Sequence, residues 1–387
     1  MALRVERAKP VGPKVAATRD SGWIVLAAVV AVLSVVGLMM VLSASSVEAF
    51  RSYGGSWYFF LRQLMWVVTG ALVMLVTATV DYRRWRRLVV PVTMTAFVLL
   101  VAVVIPGLGV TVGGSTRWLA FGPVRVQPSE LAKLAVLLFA ADLMARRGEA
   151  GWVHDARTTL RPILLTGGIL AGLVLCQPDM GTAMVIVLIL VVALFVGGVP
   201  LAQMSALTLA TSVGALVLGL GAGYRRARMS SFLRPFDDFS NAGYQLSQSL
   251  VAFGTGSVAG VGLGASRAKW GFLPNAHTDF ILAIIGEELG LLGSLFVLAL
   301  FVTFAVAGVR TALRAPDRFG AVMAAGVTAW VAGQAFVNMG AVTGMLPVTG
   351  VPLPFVSFGG SALVVTMGAV GILVNIARQP RPTRAAR

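Results

Sequence analysis

The sequence predicts an all-α integral membrane protein of ten transmembrane helices, with both termini cytoplasmic and a large extracytoplasmic loop between helices 7 and 8. Three observations carry this expectation. First, 57% of the 387 residues are hydrophobic and only 12% are charged, whereas soluble domains carry about 25% charged residues. Second, apolar runs of about 20 residues recur along most of the chain, each long enough to cross a hydrocarbon core about 30 Å thick. Backbone groups in lipid must bond within their own segment, so such runs are helices. Third, the basic residues sit between the runs and favour alternate connections.

The expected spans are 22–43, 58–80, 86–105, 129–145, 161–177, 181–198, 201–222, 279–308, 318–344 and 359–378. The first follows Arg4, Arg7, Lys9, Lys14 and Arg19 and exceeds a signal h-region, so it reads as a membrane helix. Of the 31 basic residues, 20 fall in the amino tail, the turns near 81–87, 146–161 and 310–318, and the carboxyl tail. The short opposite loops carry only Arg51, Arg117 and Arg125, which places both termini in the cytoplasm. Segment 223–278 then lies outside with six more basic residues; long loops cross largely regardless of charge. The organisation is a basic tail 1–21, a membrane domain 22–378 and a basic tail 379–387.

A net charge of +16 would point to nucleic acid in a soluble protein. With the charges between spans, membrane topology and anionic lipid are the better readings, and no nucleic-acid partner is expected. One cysteine, Cys176, allows no internal disulfide and no Cys-rich zinc site. His154 and His277 lie far apart and suggest no metal cluster.

Glycine, proline and polar residues concentrate in four connections that face outward: 106–128, 177–181, 223–278 and 345–358. A site built from loops should therefore face outward. Within the longest, Gly243 to Phe253 has helical spacing and reads as a re-entrant or interfacial helix. No repeat joins the two halves, and no pair of broken mid-membrane helices is evident.

The stretch Leu273 to Gly290, L-P-N-A-H-T-D-F-I-L-A-I-I-G-E-E-L-G, sets Asp279 at the mouth of an apolar helix. A carboxylate at a bilayer edge is costly to desolvate and is a functional-site candidate. Two compatible readings stand: a general base or electrostatic stabiliser, and an N-terminal helix cap. His277 reads as a proton-transfer or phosphate group, or as a structural hydrogen bonder at the helix entry. Glu287 and Glu288 lie too far along the helix to pair with Asp279 as two acting carboxylates, and are expected to hold the bundle together. Glu130 and Lys133, spaced i, i+3, should pair on one interior face, as a salt bridge or as a cavity floor.

Arg117 offers a planar fork suited to phosphate, or anchors the interface beside Trp118. Arg225, Arg226, Arg228, Arg234, Arg267 and Lys269 suit a basic rim for an anionic headgroup, or a solvated surface. Gly256 and Gly260 fit G-x-x-x-G and predict close helix approach. Asp237 and Asp238 suit a divalent cation beside a diphosphate, or a turn.

From about Trp23 to Arg378 the chain resembles the SEDS family of polytopic peptidoglycan polymerases. The resemblance rests on S-A-S-S, D-Y-R-R-W, G-G-S-T-R-W-L, Q-P-S-E-L-A-K-L, Q-P-D-M-G-T-A, G-Y-Q-L-S-Q-S-L, L-P-N-A-H-T-D-F, I-G-E-E-L-G and P-L-P-F-V-S-F-G-G-S, in that order. It is more similar to the division-associated FtsW branch than to the elongation-associated RodA branch. Asn275 stands where Glu is expected, and Gly256-Ser257 replaces Gly-Gly.

The resemblance implies a glycosyltransferase that polymerises lipid II, in which Asp279 matches the essential acid, Glu130 and Lys133 the buried ion pair, and Arg117 the arginine of G-G-S-T-R. Arg117, Lys133, Glu130, His277, Arg267 and Lys269 become substrate-binding candidates around Asp279. It implies a class B penicillin-binding protein transpeptidase and other divisome proteins as partners, and enrichment at the septum of the bacterial cytoplasmic membrane. The resemblance fixes no cofactor and leaves open a divalent cation, magnesium or manganese, at the diphosphate. The rivals are a lipid II flippase and a non-catalytic divisome scaffold.

Overall fold

A computed structural model describes residues 21–112, 115–122, 124–151, 155–221, 232, 235–236 and 243–379. The two basic tails, His154, Arg225, Arg226, Arg228, Arg234, Asp237 and Asp238 lie outside the described residues.

The chain is mostly helical. In order come α1 (Gly22–Tyr53), α2 (Tyr58–Thr79), α3 (Val89–Val104), α4 (Pro128–Glu149), α5 (Arg161–Cys176), α6 (Met180–Val196), α7 (Leu201–Gly221), α8 (Tyr244–Gly256), α9 (Ile281–Leu313), α10 (Arg318–Val342) and α11 (Ser361–Ala377). Ten match the expected runs in order, and α8 is the helix read from Gly243 to Phe253. Among the described residues six segments are long and apolar enough to cross a membrane: α1, α2, α9, α10, and the stretches ending in α3 and α5. Helices α6 and α11 are apolar but shorter. The local chemistry fits: Gly54 closes α1 in the left-handed region, Pro128 opens α4, and Asp179 and Asp317 cap α6 and α10.

Two features depart from the expectation. The connection 106–128 is not irregular but a small antiparallel sheet, β1 (Gly109–Val112), β2 (Ser115–Phe121) and β3 (Val124–Val126), in the order β1-β2-β3. It amends the all-α reading; valine, threonine and aromatic residues between glycines are strand chemistry. Helix α9 is also broken, at Gly290 with φ 69° and ψ −162°.

The segment after α8 fills that break. Val261 N and Gly262 N donate to Glu287 O and Glu288 O at 2.9 and 3.1 Å. Leu291 N and Leu292 N donate to Ser257 O and Val258 O at 3.0 and 3.3 Å. Every backbone group the break releases at these positions has a partner, as a helix interruption in lipid requires. Gly256 and Gly260 allow the approach: an added Cβ would stand 1.9 Å from Gly286 O or 2.2 Å from Glu288 O. That is the close contact expected of G-x-x-x-G.

Helix α10 is the spine. Of its apolar stretch 67% is buried, against 11% for α2. It packs on α4, α6, α9 and α11, so polar side chains on its faces reach several elements at once.

Candidate functional site

The backbone around Asp279 is fixed from three sides. Ahead of α9, His277 O accepts from Phe358 N at 3.0 Å and Thr278 O accepts from Ser357 Oγ at 2.6 Å. Asp279 O accepts from Asn338 Nδ2 at 2.7 Å, and the same nitrogen donates to Val351 O at 2.8 Å. Loop 351–358 and α10 thus hold three consecutive carbonyls. Gln63 of α2 donates to Ser357 O at 3.1 Å and braces the loop in turn.

The Asp279 side chain is half-buried. Its Oδ2 lies against Gly350, where an added Cβ would come within 3.5 Å and where φ is 73°. A glycine there suits both the turn and the close approach. The cap reading does not hold: α9 begins at Ile281, the cap position falls to Phe280, and no side chain caps it. Asp279 sits one residue too early for that duty.

The Glu130–Lys133 pair forms as expected, at 2.8 Å, with side-chain exposures of 3% and 1%. Lys133 Nζ donates to Gln334 Oε1 at 2.9 Å and lies 4.7 Å from the Trp330 ring centre. Trp330 Nε1 donates to the same Oε1 at 3.1 Å, and Gln334 Nε2 donates to Pro352 O at 2.9 Å. The pair therefore supports from behind the loop that holds Asp279. Glu130 and Lys133 face the interior of the bundle rather than an open surface.

The family described as cell cycle protein, FtsW/RodA/SpoVE, matches residues 24–382. The chain belongs to this family. It is 40% identical over 351 residues to a protein of Geobacter metallireducens named probable peptidoglycan glycosyltransferase FtsW, covering 91% of this chain and 93% of that one. It is 40% identical over 366 residues to stage V sporulation protein E of Bacillus subtilis, covering 94% and 99%. Among solved structures it is similar to a chain from work titled "Structural coordination of polymerization and crosslinking by a peptidoglycan synthase complex", with TM-score 0.73, 26% identity, and 93% and 98% coverage. It is also similar to the rod shape determining protein RodA of Thermus thermophilus, with TM-score 0.67, 25% identity, and 94% and 98% coverage.

Within this family fold, two of the nominated cations turn inward. Arg117 pins the turn before α6: Nε donates to Gln177 O at 3.3 Å, Nη2 to Pro178 O, and Nη1 lies 3.7 Å from Asp179 Oδ1. Asp179 is buried and also accepts from Gln127 Nε2 at 3.2 Å. Arg117 thus clamps the turn before α6, its guanidinium beside the Asp179 carboxylate. Lys269 has a side-chain exposure of 7%, sits 3.7 Å from Glu288 Oε1 and donates to Gly264 O. It too is an internal tie. Arg267 is exposed, as a rim cation must be.

His277 is clamped between rings, 4.7 Å from Phe59 and 5.8 Å from Phe358 by centroid, with Nδ1 3.3 Å from Glu48 Oε2. That favours its structural reading. Glu287 accepts from Ser266 Oγ at 2.5 Å, Arg267 N at 3.1 Å and Ala268 N at 3.3 Å. Glu288 accepts from Ser43 Oγ at 2.6 Å. The two carboxylates hold the 264–269 loop and α1 to α9, as the bundle-holding expectation required.

Sequence reasoning passed over Glu48, Asp179, Trp330, Gln334 and Asn338. The last three had a signal: Trp330, Gln334 and Asn338 recur every fourth residue inside an apolar run, so one face of α10 is polar. Among the described residues no three His, Cys, Asp or Glu side chains group so as to hold a metal ion.

Proposed function

We propose that this chain is a peptidoglycan glycosyltransferase that polymerises lipid II at the outer face of the bacterial cytoplasmic membrane, in septal wall synthesis. The observation that carries it is Asp279: a half-buried carboxylate at the mouth of a membrane helix, its main chain held by Phe358, Ser357 and Asn338. The charge pattern of the connections supports ten spans with both termini in the cytoplasm, a topology in which that carboxylate faces outward, where the lipid-linked disaccharide is presented. The naming of the Geobacter relative supports the activity.

In the mechanism Asp279 takes the proton from the 4-hydroxyl of the acceptor sugar as that oxygen attacks the anomeric carbon of the donor. The glycosidic bond forms with inversion, the bond to the diphosphate breaks, and undecaprenyl diphosphate leaves with the negative charge. A base of this kind contributes about 10² to 10⁴ in rate. Exposed Arg267 is assigned to the departing diphosphate, a site where a divalent cation would supply further charge neutralisation. Rigid fixing of the H-T-D main chain keeps the carboxylate in attack geometry, where a shift of about 1 Å costs about 100-fold. The partner is a class B penicillin-binding protein transpeptidase; one similar structure comes from a peptidoglycan synthase complex.

The test is Asp279→Asn with purified lipid II in detergent. Folded variant that still binds its transpeptidase should make no glycan; glycan at the parental rate removes Asp279 from the reaction. The break in α9 is the one observation that favours a flippase, since transporters use interrupted helices. Here the break is filled by backbone from 257–262 rather than opened onto a cavity. Glycan made in detergent, where there is nothing to cross, separates the two.

A further inference from the structure

A second site lies at the end of α9 away from Asp279, beyond the break at Gly290. There α1, α9 and α11 converge on a cavity of about 290 Å³. Val25, Val302, Val306 and Ile376 form its apolar wall, and Arg310 and Arg314 stand at it one helical turn apart. Among the described residues no acidic side chain lines it. Arg310 is exposed and makes no ion pair among the described residues. The sequence beyond Gln379 is basic, with Arg381, Arg384 and Arg387, while Arg19 and Asp20 precede Ser21 and offset each other.

Arginines near a helix carboxyl end compensate its dipole, and that accounts for the charges alone. It does not account for a cavity close to the small end of ligand pockets, about 300 Å³. Nor does it account for an apolar wall running from the cations toward the middle of the bundle. Apolar wall below and paired cations above match one class of molecule: a lipid with an anionic head.

We infer that this cavity binds one anionic phospholipid of the leaflet on the side of the chain termini, its phosphate on Arg310 and Arg314 and its acyl chain along Val302 and Val306. The site is separate from the Asp279 site and does not depend on the polymerase reading. The phospholipid fastens α1, α9 and α11 together at the end opposite to the chemistry. The headgroup chemistry commits the occupant to phosphatidylglycerol or a similar anion of that leaflet, rather than to zwitterionic lipid.

Native mass spectrometry of the full chain, released from nanodiscs of equal phosphatidylglycerol and phosphatidylcholine, tests it. The parental chain should retain one phosphatidylglycerol. The pair Arg310→Gln with Arg314→Gln should lower that population by about 25-fold, about fivefold per cation near an anionic surface. The charge-matched pair Arg84→Gln with Arg87→Gln should leave it unchanged. Val306→Trp, which fills the cavity and keeps both arginines, should also displace the lipid. Equal retention of the two lipids overturns the site, as does equal loss from both arginine pairs. Full retention in Val306→Trp overturns it as well.

Discussion

The two ends of the bundle are built differently. At the Asp279 end the chain leaves regular geometry repeatedly: Asn275, Ser257, Gly290 and Gly350 all have positive φ. Side chains from α10 then collect the carbonyls that irregular backbone leaves over. At the opposite end the polar groups satisfy one another in ordinary ways. Asp317 caps α10 through Gly320 N at 2.7 Å, and accepts from Tyr82 Oη at 2.6 Å and Arg83 Nε at 3.1 Å. Asp142 takes Arg86 at 2.9 Å and Arg146 at 2.8 Å. Asn375 joins Tyr82 N to Ala78 O. The difference teaches that polarity in this protein has two uses. One end closes the bundle, and the other presents a carboxylate.

The largest effect that would sharpen this contrast is at the buried pair. Lys133→Met leaves Glu130 buried without its cation, a change that costs about 3–5 kcal/mol. Thermal unfolding in detergent should show the loss. Glu130→Gln combined with Lys133→Met should recover most of that stability and yet make glycan slowly, because the support of Gln334 and loop 351–358 is altered. If the double variant polymerises at the parental rate, the pair is only packing, and the two ends are less different than they look.

Next in size is a matched comparison across the bundle. Asn338→Leu removes the donor to both Asp279 O and Val351 O. Each stranded buried carbonyl costs about 1–3 kcal/mol, and polymerisation per folded molecule should fall at least about tenfold as the carboxylate shifts. Tyr82→Phe removes the bond to Asp317 at the other end. It should cost about 1 kcal/mol, since Asp317 is partly solvated, and leave the rate per folded molecule unchanged. Equal loss of rate in the two variants would dissolve the division of labour.

Much of this was legible in the residues. The helices and their order follow from apolar runs that only a helix can satisfy in lipid. The i, i+3 spacing of Glu130 and Lys133 foretold their pairing, and Gly256 and Gly260 foretold close approach. What was not legible depended on partners distant in sequence. The run through Gly290 reads as continuous helix, because only the 257–262 backbone makes its interruption affordable. Arg117 reads as an open cation until Asp179, 62 positions along the chain, is folded against it. The strands of 109–126 hid among glycines in a loop too short to be weighed as a sheet. Asn338 was in plain view, but only α10's central position shows what an amide there is for.

The smallest effect concerns Ser257, the residue that stands where the family resemblance leads one to expect glycine. It ends α8 with φ 51° and ψ −141°, a conformation that favours glycine, while its carbonyl accepts from Leu291 N across the break in α9. Its side chain is exposed, so little packing is lost on removing it. Such backbone strain costs about 1–3 kcal/mol, and the added freedom of glycine in the unfolded chain returns about 0.5–1 kcal/mol. Ser257→Gly should therefore stabilise by about 1 kcal/mol, seen as a higher unfolding temperature with the rate of glycan formation unchanged. The neighbouring Gly256→Ala should do the reverse, since its Cβ would stand 1.9 Å from Gly286 O. If Ser257→Gly destabilises instead, the serine hydroxyl holds the turn. Irregular backbone at the Asp279 end would then be supported by side chains even where it is exposed.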